Sequence, residues 1–526
     1  MMKDKEQASA LLDRLAWPLA RGVTFFLQAV ALFILMLYGI MFVQHAVAVV
    51  RFPYQIDYGE GVELYAVSRL LSGETLYGSI NQPPYHVGVY PPLYTLVVAP
   101  IAALAGIQYG AGRAVSAVLA LFIAWLLGRM VYEETHQPWA GIVTGLLWLA
   151  SHLVYSWAVL MRVDMLAIAL SLLGLYLFWR GYVRRGLERY VFVAMVLFVA
   201  AAYARQTSVW AAASCLVCLV VMRRWALAGK ALALYAGLGL AILGLLSATT
   251  GGEFFRHLVV YNYQVWKFSR WQAAVGRVWA LYPLAILAGL ITLVLTLWRR
   301  WPALAALYLM FGWLSSVTTG EIGAYINHLL EASAATWLAC GLLLGHTAKS
   351  RQGLWRLLAS VALLVQIAML IHLPYNLQSG VLEPWTALKP AVRTWSKQNR
   401  AAYLWTPAQA DVQAADELSY RVHQTPGLIL SEDGAFTTTH GRPMWIQFFD
   451  FTQLARLGLW DQSPFQDQIR THQFALLLLK FDTATDVLSY RNIVTPEMLD
   501  AIRQSYVLEK QIWLYYVYVP RAAPTN

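Results

Sequence analysis

Charge is scarce in this chain. Only 13% of its 526 residues are Asp, Glu, Lys or Arg, against about 25% in soluble domains, which argues against an ordinary soluble globular protein. Cysteine is rarer still. Cys215, Cys218 and Cys340 all lie in apolar runs, so no disulfide framework is implied. Cys215 and Cys218 form a C-x-x-C, but inside an apolar run and without further ligands they read as packing residues. A glycine-rich nucleotide loop, an internal repeat and a low-complexity segment are also missing from the sequence. The lack of a repeat argues against transporters built from two similar halves.

What is present is hydrophobic, at 59% of residues. Uncharged runs such as Thr24 to Val43, Pro138 to Met161 and Ala231 to Thr250 are long enough to cross a hydrocarbon core about 30 Å thick. The 22 tryptophans suit a membrane protein, because indole rings favour the interface. The first run is too long for a cleaved signal peptide. The net charge of +11 raises the question of nucleic acid. Its placement in short loops between apolar runs instead sets orientation, since such basic loops stay in the cytoplasm.

Five basic places stand out: the N-terminus (Lys3, Lys5, Arg14, Arg21), Arg180 to Arg189, Arg223 to Lys230, Arg299-Arg300, and Lys349 to Arg356. If all are cytoplasmic, an even number of crossings separates each from the next. One helix over Tyr190 to Met222 would be about 50 Å long and would break that parity, so a hairpin with Arg205 at its apex is expected. Pro92 to Ile107 is expected to be re-entrant or interfacial, its Tyr90-Pro91-Pro92 suiting a helix start. The expected protein is a polytopic α-helical membrane protein of about eleven spans, near 22–46, 111–131, 138–158, 164–181, 189–203, 207–223, 231–249, 276–297, 302–318, 325–346 and 355–373. The acidic loop Glu133 to Gln137 fits its cytoplasmic placement poorly.

A transmembrane domain would cover 1–374, with a long first outer loop at 51–110. After Pro374 the composition becomes polar, and 375–526 reads as a small extracytoplasmic α/β or α+β domain. Phe474 to Leu479 and Trp513 to Val519 read as strands. Phe465 to His472 and Thr495 to Ser505 read as helices, the second with a Thr-Pro-Glu start.

This threading collects the unusual polar residues on the outer side. A charge at membrane depth costs about 2.5–3.5 kcal/mol on insertion scales, so it tends to line a functional cavity. Asp57 and Glu60 lie at i,i+3. Either could be a general base for an attacking hydroxyl, or the two could form a capping box. Arg162 and Asp164 could be a local ion pair. Alternatively, Asp164 could stand near Asp57, where two carboxylates would position substrate or hold a divalent cation, magnesium or manganese. Arg205, Lys267 and Arg270 on the outer face run against the positive-inside bias. A phosphate would explain them, unless Lys267 and Arg270 belong to an amphipathic surface helix. Arg162 and His328 join the expected phosphate group. Asn327 and Glu331, at i,i+4, share a helix face and extend the polar cluster.

Four features carry a resemblance. Asp57-Tyr-Gly-Glu60 follows the first span. Gly73-Glu-Thr-Leu-Tyr77 and Pro91-Pro92-Leu93 lie in the same loop. Arg162-Val-Asp164 opens the fourth span, and Asn327-His-Leu-Leu-Glu331 comes late. In that order, over residues 20 to 375, the chain resembles the GT-C superfamily of membrane glycosyltransferases. The branch is that of the protein O-mannosyltransferases, the lipid A aminoarabinose transferases and bacterial dolichyl-phosphate-mannose mannosyltransferase-type relatives. The resemblance implies a polyprenyl-phosphate sugar donor, a site at the outer face of the bacterial cytoplasmic membrane, and direct inverting displacement. The acceptor would be a hydroxyl on a glycan, lipid or protein, and no nucleic acid would be bound. Asp57 matches the family's usual catalytic base. The adjacent Asp-Glu pair of the O-mannosyltransferases is missing, since Glu60 stands three residues on. That leaves the base open between the two carboxylates and weakens the case for a protein acceptor. Competing readings are a transporter or flippase for a lipid-linked or anionic substrate and, less in keeping with the sequence, a lipid-linked oligosaccharide ligase or polymerase.

Overall fold

The computed structural model describes residues 2–298, 303–349, 353–370, 409–432, 434–485 and 492–521. The Arg299-Arg300 pair, His372 and the expected boundary after Pro374 lie outside the described residues.

The chain is a multi-pass membrane protein. Among the described residues seven helices are long and apolar enough to cross a membrane, or eight if a bent pair counts as one span. Four shorter apolar helices join them: Leu93–Ala105, Pro138–Ala150, Arg189–Ala204 and Trp210–Val221. The first of these covers the segment expected to be re-entrant. The last two are the arms of the expected hairpin, with Arg205 in the connection between them.

The expected span 276–297 is broken. Helices Phe268–Leu281 and Pro283–Leu297 meet at 96°. Pro283 cannot donate a backbone hydrogen bond and suits a helix start rather than an interior. The first arm is amphipathic and carries Arg270 and Arg277, so it can lie along the interface while the second enters the apolar layer.

The acidic turn that ends the helix Tyr109–Thr135 has its own explanation. Glu133 pairs with Arg129 at 2.7 Å and Arg180 at 3.5 Å, and Glu134 pairs with Arg184 at 2.8 Å. The basic loop that follows two helices later neutralises it. Above this layer the helices Tyr109–Thr135 and Pro138–Ala150 run backbone to backbone. A Cβ on Gly128 would come within 2.6 Å of the Gly141 carbonyl, the close approach that small residues permit between membrane helices.

The chain from 409 onward builds an α+β unit. Its strands are β1 (Leu428–Ser431), β2 (Phe474–Leu479), β3 (Tyr506–Ile512) and β4 (Tyr515–Pro520). Their order is β1-β2-β4-β3, with β1 and β2 parallel and the other pairs antiparallel. Strand β2 is an almost continuous buried apolar run, as expected for a central strand covered on both faces. Helix Pro496–Ser505 starts as Thr-Pro-Glu suggests, with the Thr495 hydroxyl accepting from the Met498 amide at 3.2 Å.

This unit is tied to the first long loop. Tyr85 N–H donates to the Trp445 carbonyl at 2.7 Å, and the Gln447 amide returns to the Tyr85 carbonyl at 3.3 Å. The Gln447 side chain accepts from Val87 N–H and bonds His86 Nδ1, each at 2.8 Å. The loop residues Tyr85 and Val87 therefore share a core with Leu430, Phe451 and Phe465.

Candidate active site

One buried ion pair sets the position of the first long loop. Arg113 and Glu60 are fully buried and meet at 2.7 Å through both Nε and Nη2. The other Arg113 donors go to the carbonyls of Val49 and Phe52 (3.0 and 2.6 Å, from Nη1) and of Tyr54 (2.7 Å, from Nη2). All five guanidinium N–H groups are used. Glu60 in turn accepts from the amides of Ile56 at 2.9 Å, Asp57 at 3.3 Å and Met161 at 2.8 Å. Its surroundings leave it no room to serve as a base. Burial raises its pKa, but Arg113 and these amides together hold it below the ordinary carboxylate value, and a general base needs a higher one.

Asp57 is the N-cap of helix Tyr58–Leu71. Its Oδ2 accepts from Gly59 N–H at 2.9 Å, and with Glu60 it completes a capping box. The same oxygen lies 3.5 Å from Arg162 Nη1. Arg162 fills the space above Gly59, where any Cβ would collide with its guanidinium. Gly59→Ala is therefore expected to push Arg162 off Asp57 and cut activity at least about tenfold while the helix itself gains propensity. Parallel activity and thermal-shift measurements separate the two effects. Full activity in Gly59→Ala would show that Arg162 need not rest there.

Arg162 also donates to the Tyr90 hydroxyl at 3.0 Å and lies over the Tyr90 and Trp157 rings, at 5.6 and 5.4 Å. Two residues on, Asp164 is wholly buried. Its Oδ1 accepts from Arg205 Nη1 at 2.8 Å and Asn327 Nδ2 at 3.1 Å, and its Oδ2 accepts from Trp157 Nε1 at 2.7 Å. Asp57, Arg162, Asp164, Arg205 and Asn327 thus form one connected cluster. They come from the first loop, the start of the helix Asp164–Leu177, the hairpin apex and the late Asn-His motif.

Of the other expected members, Lys267 and Arg270 stand apart, whereas His328 and Glu331 lie within electrostatic reach of Arg205. Lys267 is exposed. Arg270 spends its Nε and Nη2 on the carbonyls of Glu321 at 3.1 Å and Ala324 at 3.0 Å, pinning its segment to the next loop. His328 bonds the Thr318 hydroxyl at 2.7 Å. Glu331 is buried in the first turn of the helix Leu330–Lys349, one oxygen without a hydrogen-bond partner among the described residues. The divalent cation expected between Asp57 and Asp164 does not fit this donor set, because an arginine already engages each carboxylate. Among the described residues no group of three or more His, Cys, Asp or Glu side chains is placed to hold a metal ion.

Two carboxyls escaped the sequence reading. Glu63 is 3% exposed. Burial pushes its pKa up to about 7, with Arg162 opposing the shift and Asp164 adding to it. Its spacing of three from Glu60 was the available signal. Asp450 starts the helix Phe448–Arg456 of the C-terminal unit. Burial raises it to about 7 against its own backbone N–H and Arg162. Next to it, Phe449 N–H donates to the Tyr58 hydroxyl at 3.2 Å. No local pattern marks Asp450, because only the tertiary fold brings it here.

The fold has counterparts among solved structures. It is similar to ArnT from Cupriavidus metallidurans, solved bound to undecaprenyl phosphate. The TM-score is 0.58 at 13% sequence identity, over 93% of this chain and 98% of that one. The archaeal oligosaccharyltransferase AglB from Archaeoglobus fulgidus, solved with an inhibitory peptide and a dolichol-phosphate, gives a TM-score of 0.51 at 11% identity. That match spans 93% of this chain and 75% of AglB. No family model and no curated protein sequence matches the chain.

Proposed function

We propose that this protein is a glycosyltransferase of the bacterial cytoplasmic membrane. It moves a sugar from a polyprenyl-phosphate donor to an acceptor hydroxyl at the outer face, with its N-terminus in the cytoplasm. The observation that carries this reading is the two buried pairs Asp57–Arg162 and Asp164–Arg205, bridged by Trp157, in a fold shared with proteins solved bound to undecaprenyl phosphate and dolichol-phosphate.

The chemistry follows from charge. Arg162 and Arg205 receive the donor phosphate, for which a planar guanidinium is suited. As the bond from the anomeric carbon to the phosphate oxygen breaks, its electron pair leaves with the phosphate, and the two cations stabilise it. Asp57 accepts the proton of the attacking hydroxyl as the new glycosidic bond forms on the opposite face, with inversion. Asp164 and Asn327 fix Arg205, while Glu60 and Arg113 fix the loop that carries Asp57.

Arg205→Lys tests the phosphate assignment. It keeps a cation against Asp164 but loses the fork, so donor KM is expected to rise at least about tenfold, roughly 1.4 kcal/mol, at near-normal thermal stability. Unchanged donor KM would remove Arg205 from the phosphate site. Reconstituted protein given a labelled polyprenyl-phosphate sugar is expected to release free prenyl phosphate. Movement of the intact lipid across the bilayer without release would make the protein a flippase instead.

A further inference from the structure

The mechanism above leaves Glu63 without a task. It lies on the same helix as Asp57, one turn beyond Gly59, and residues four apart share a helix face. Since the Arg162 guanidinium occupies the space over Gly59, Glu63 looks onto the same cation. Its carboxyl forms no hydrogen bond or ion pair among the described residues and is 3% exposed. A carboxyl buried without such partners is costly unless it holds a proton. We propose that Glu63 is the proton-uptake residue of the donor phosphate site, taking a proton when a prenyl phosphate occupies Arg162 and releasing it when the phosphate leaves.

The charges around it fix the direction of the coupling. Arg162 and Asp164 face it from the segment that opens the helix Asp164–Leu177, and Tyr77, Tyr90 and Tyr94 from the rest of the outer loop. The short helix Ala435–Thr438, packed against the same element, carries no titratable side chain. With the site empty, Arg162 is the nearby cation that favours the ionised form, opposing desolvation and Asp164, and the balance leaves Glu63 near pH 7. A bound phosphate neutralises Arg162, removes that support and drives Glu63 to the protonated form. By linkage, the affinity for phosphate then falls as pH rises through neutrality, because ionised Glu63 competes with the phosphate for Arg162.

The inference rests on the phosphate reading of Arg162, and its test keeps the two separable. The probe is undecaprenyl phosphate in detergent micelles, titrated calorimetrically into the full-length protein at pH 7 in buffers of different ionisation enthalpy. The ionisation of the phosphate itself contributes equally to all variants. The wild-type protein is expected to take up more protons than Glu63→Gln, by up to about half a proton per site. Between pH 6 and 8 its affinity should fall, relative to Glu63→Gln, by roughly fivefold or more. Glu63→Asp, which keeps a titratable group, should restore the uptake. Equal proton uptake in wild type and Glu63→Gln would overturn the assignment while leaving the phosphate site standing. Failure of every variant to bind undecaprenyl phosphate would overturn the donor reading, and the proposal with it.

Discussion

Asp57→Asn is expected to reduce sugar transfer by about 10² to 10⁴-fold, the range general-base groups contribute, with little change in stability. The reason lies in the two tasks of this side chain. As N-cap, Asp57 needs only an oxygen able to accept from Gly59 N–H at 2.9 Å, and asparagine caps helices as well as aspartate does. The capping box with Glu60 survives because it uses the Asp57 backbone amide. What asparagine cannot do is take a proton or face Arg162 as an anion. Single-turnover assays with saturating donor isolate the chemical step, and a melting curve of the same preparation reports the cap. A variant that turns over at the wild-type rate would show that Asp57 is only a structural cap.

The largest structural effect is expected at Arg113. Arg113→Met removes the counter-ion of a wholly buried carboxylate and leaves the carbonyls of Val49, Phe52 and Tyr54 without their donor. Breaking one side of such a pair costs about 3–5 kcal/mol, so the variant should accumulate poorly or melt well below wild type. The double variant Arg113→Met with Glu60→Gln removes the orphaned charge and should recover part of that loss. Coupling of this kind is the signature of a direct pair. A single variant as stable as wild type would mean that the loop is held by its other contacts.

The sequence made the membrane architecture readable because hydropathy and basic loops report directly on the bilayer. The hairpin at Arg205 followed from parity, and the helices Arg189–Ala204 and Trp210–Val221 flank that residue as expected. Strand β2 and the Thr495 cap were legible because they rest on local chemistry. The break at Pro283 was missed because 276–297, with Arg277 its single charged residue, reads as one apolar run across the bend. Within the site, Asp57, Arg162, Asp164, Arg205 and Asn327 could be grouped from topology alone. Their pairing could not: local spacing suggested Arg162 with Asp164, whereas Arg205 reaches Asp164 and Arg162 leans on Asp57. Arg113 gave no hint of its place, because a lone arginine near a helix start looks like any interfacial cation. The acidic turn at Glu133 looked misplaced until the fold brought Arg180 and Arg184 beneath it.

The ties between Tyr85 and Trp445, and between Val87 and Gln447, join residues some 360 positions apart. During synthesis the first long loop is made well before its partner exists. Contacts so distant along the chain form late and close slowly. The newly made protein therefore passes through most of its synthesis with Tyr85 and Val87 waiting for their partners. A chain that stops before Trp445 would lack both ties and the apolar core that Tyr85 and Val87 share with the C-terminal unit.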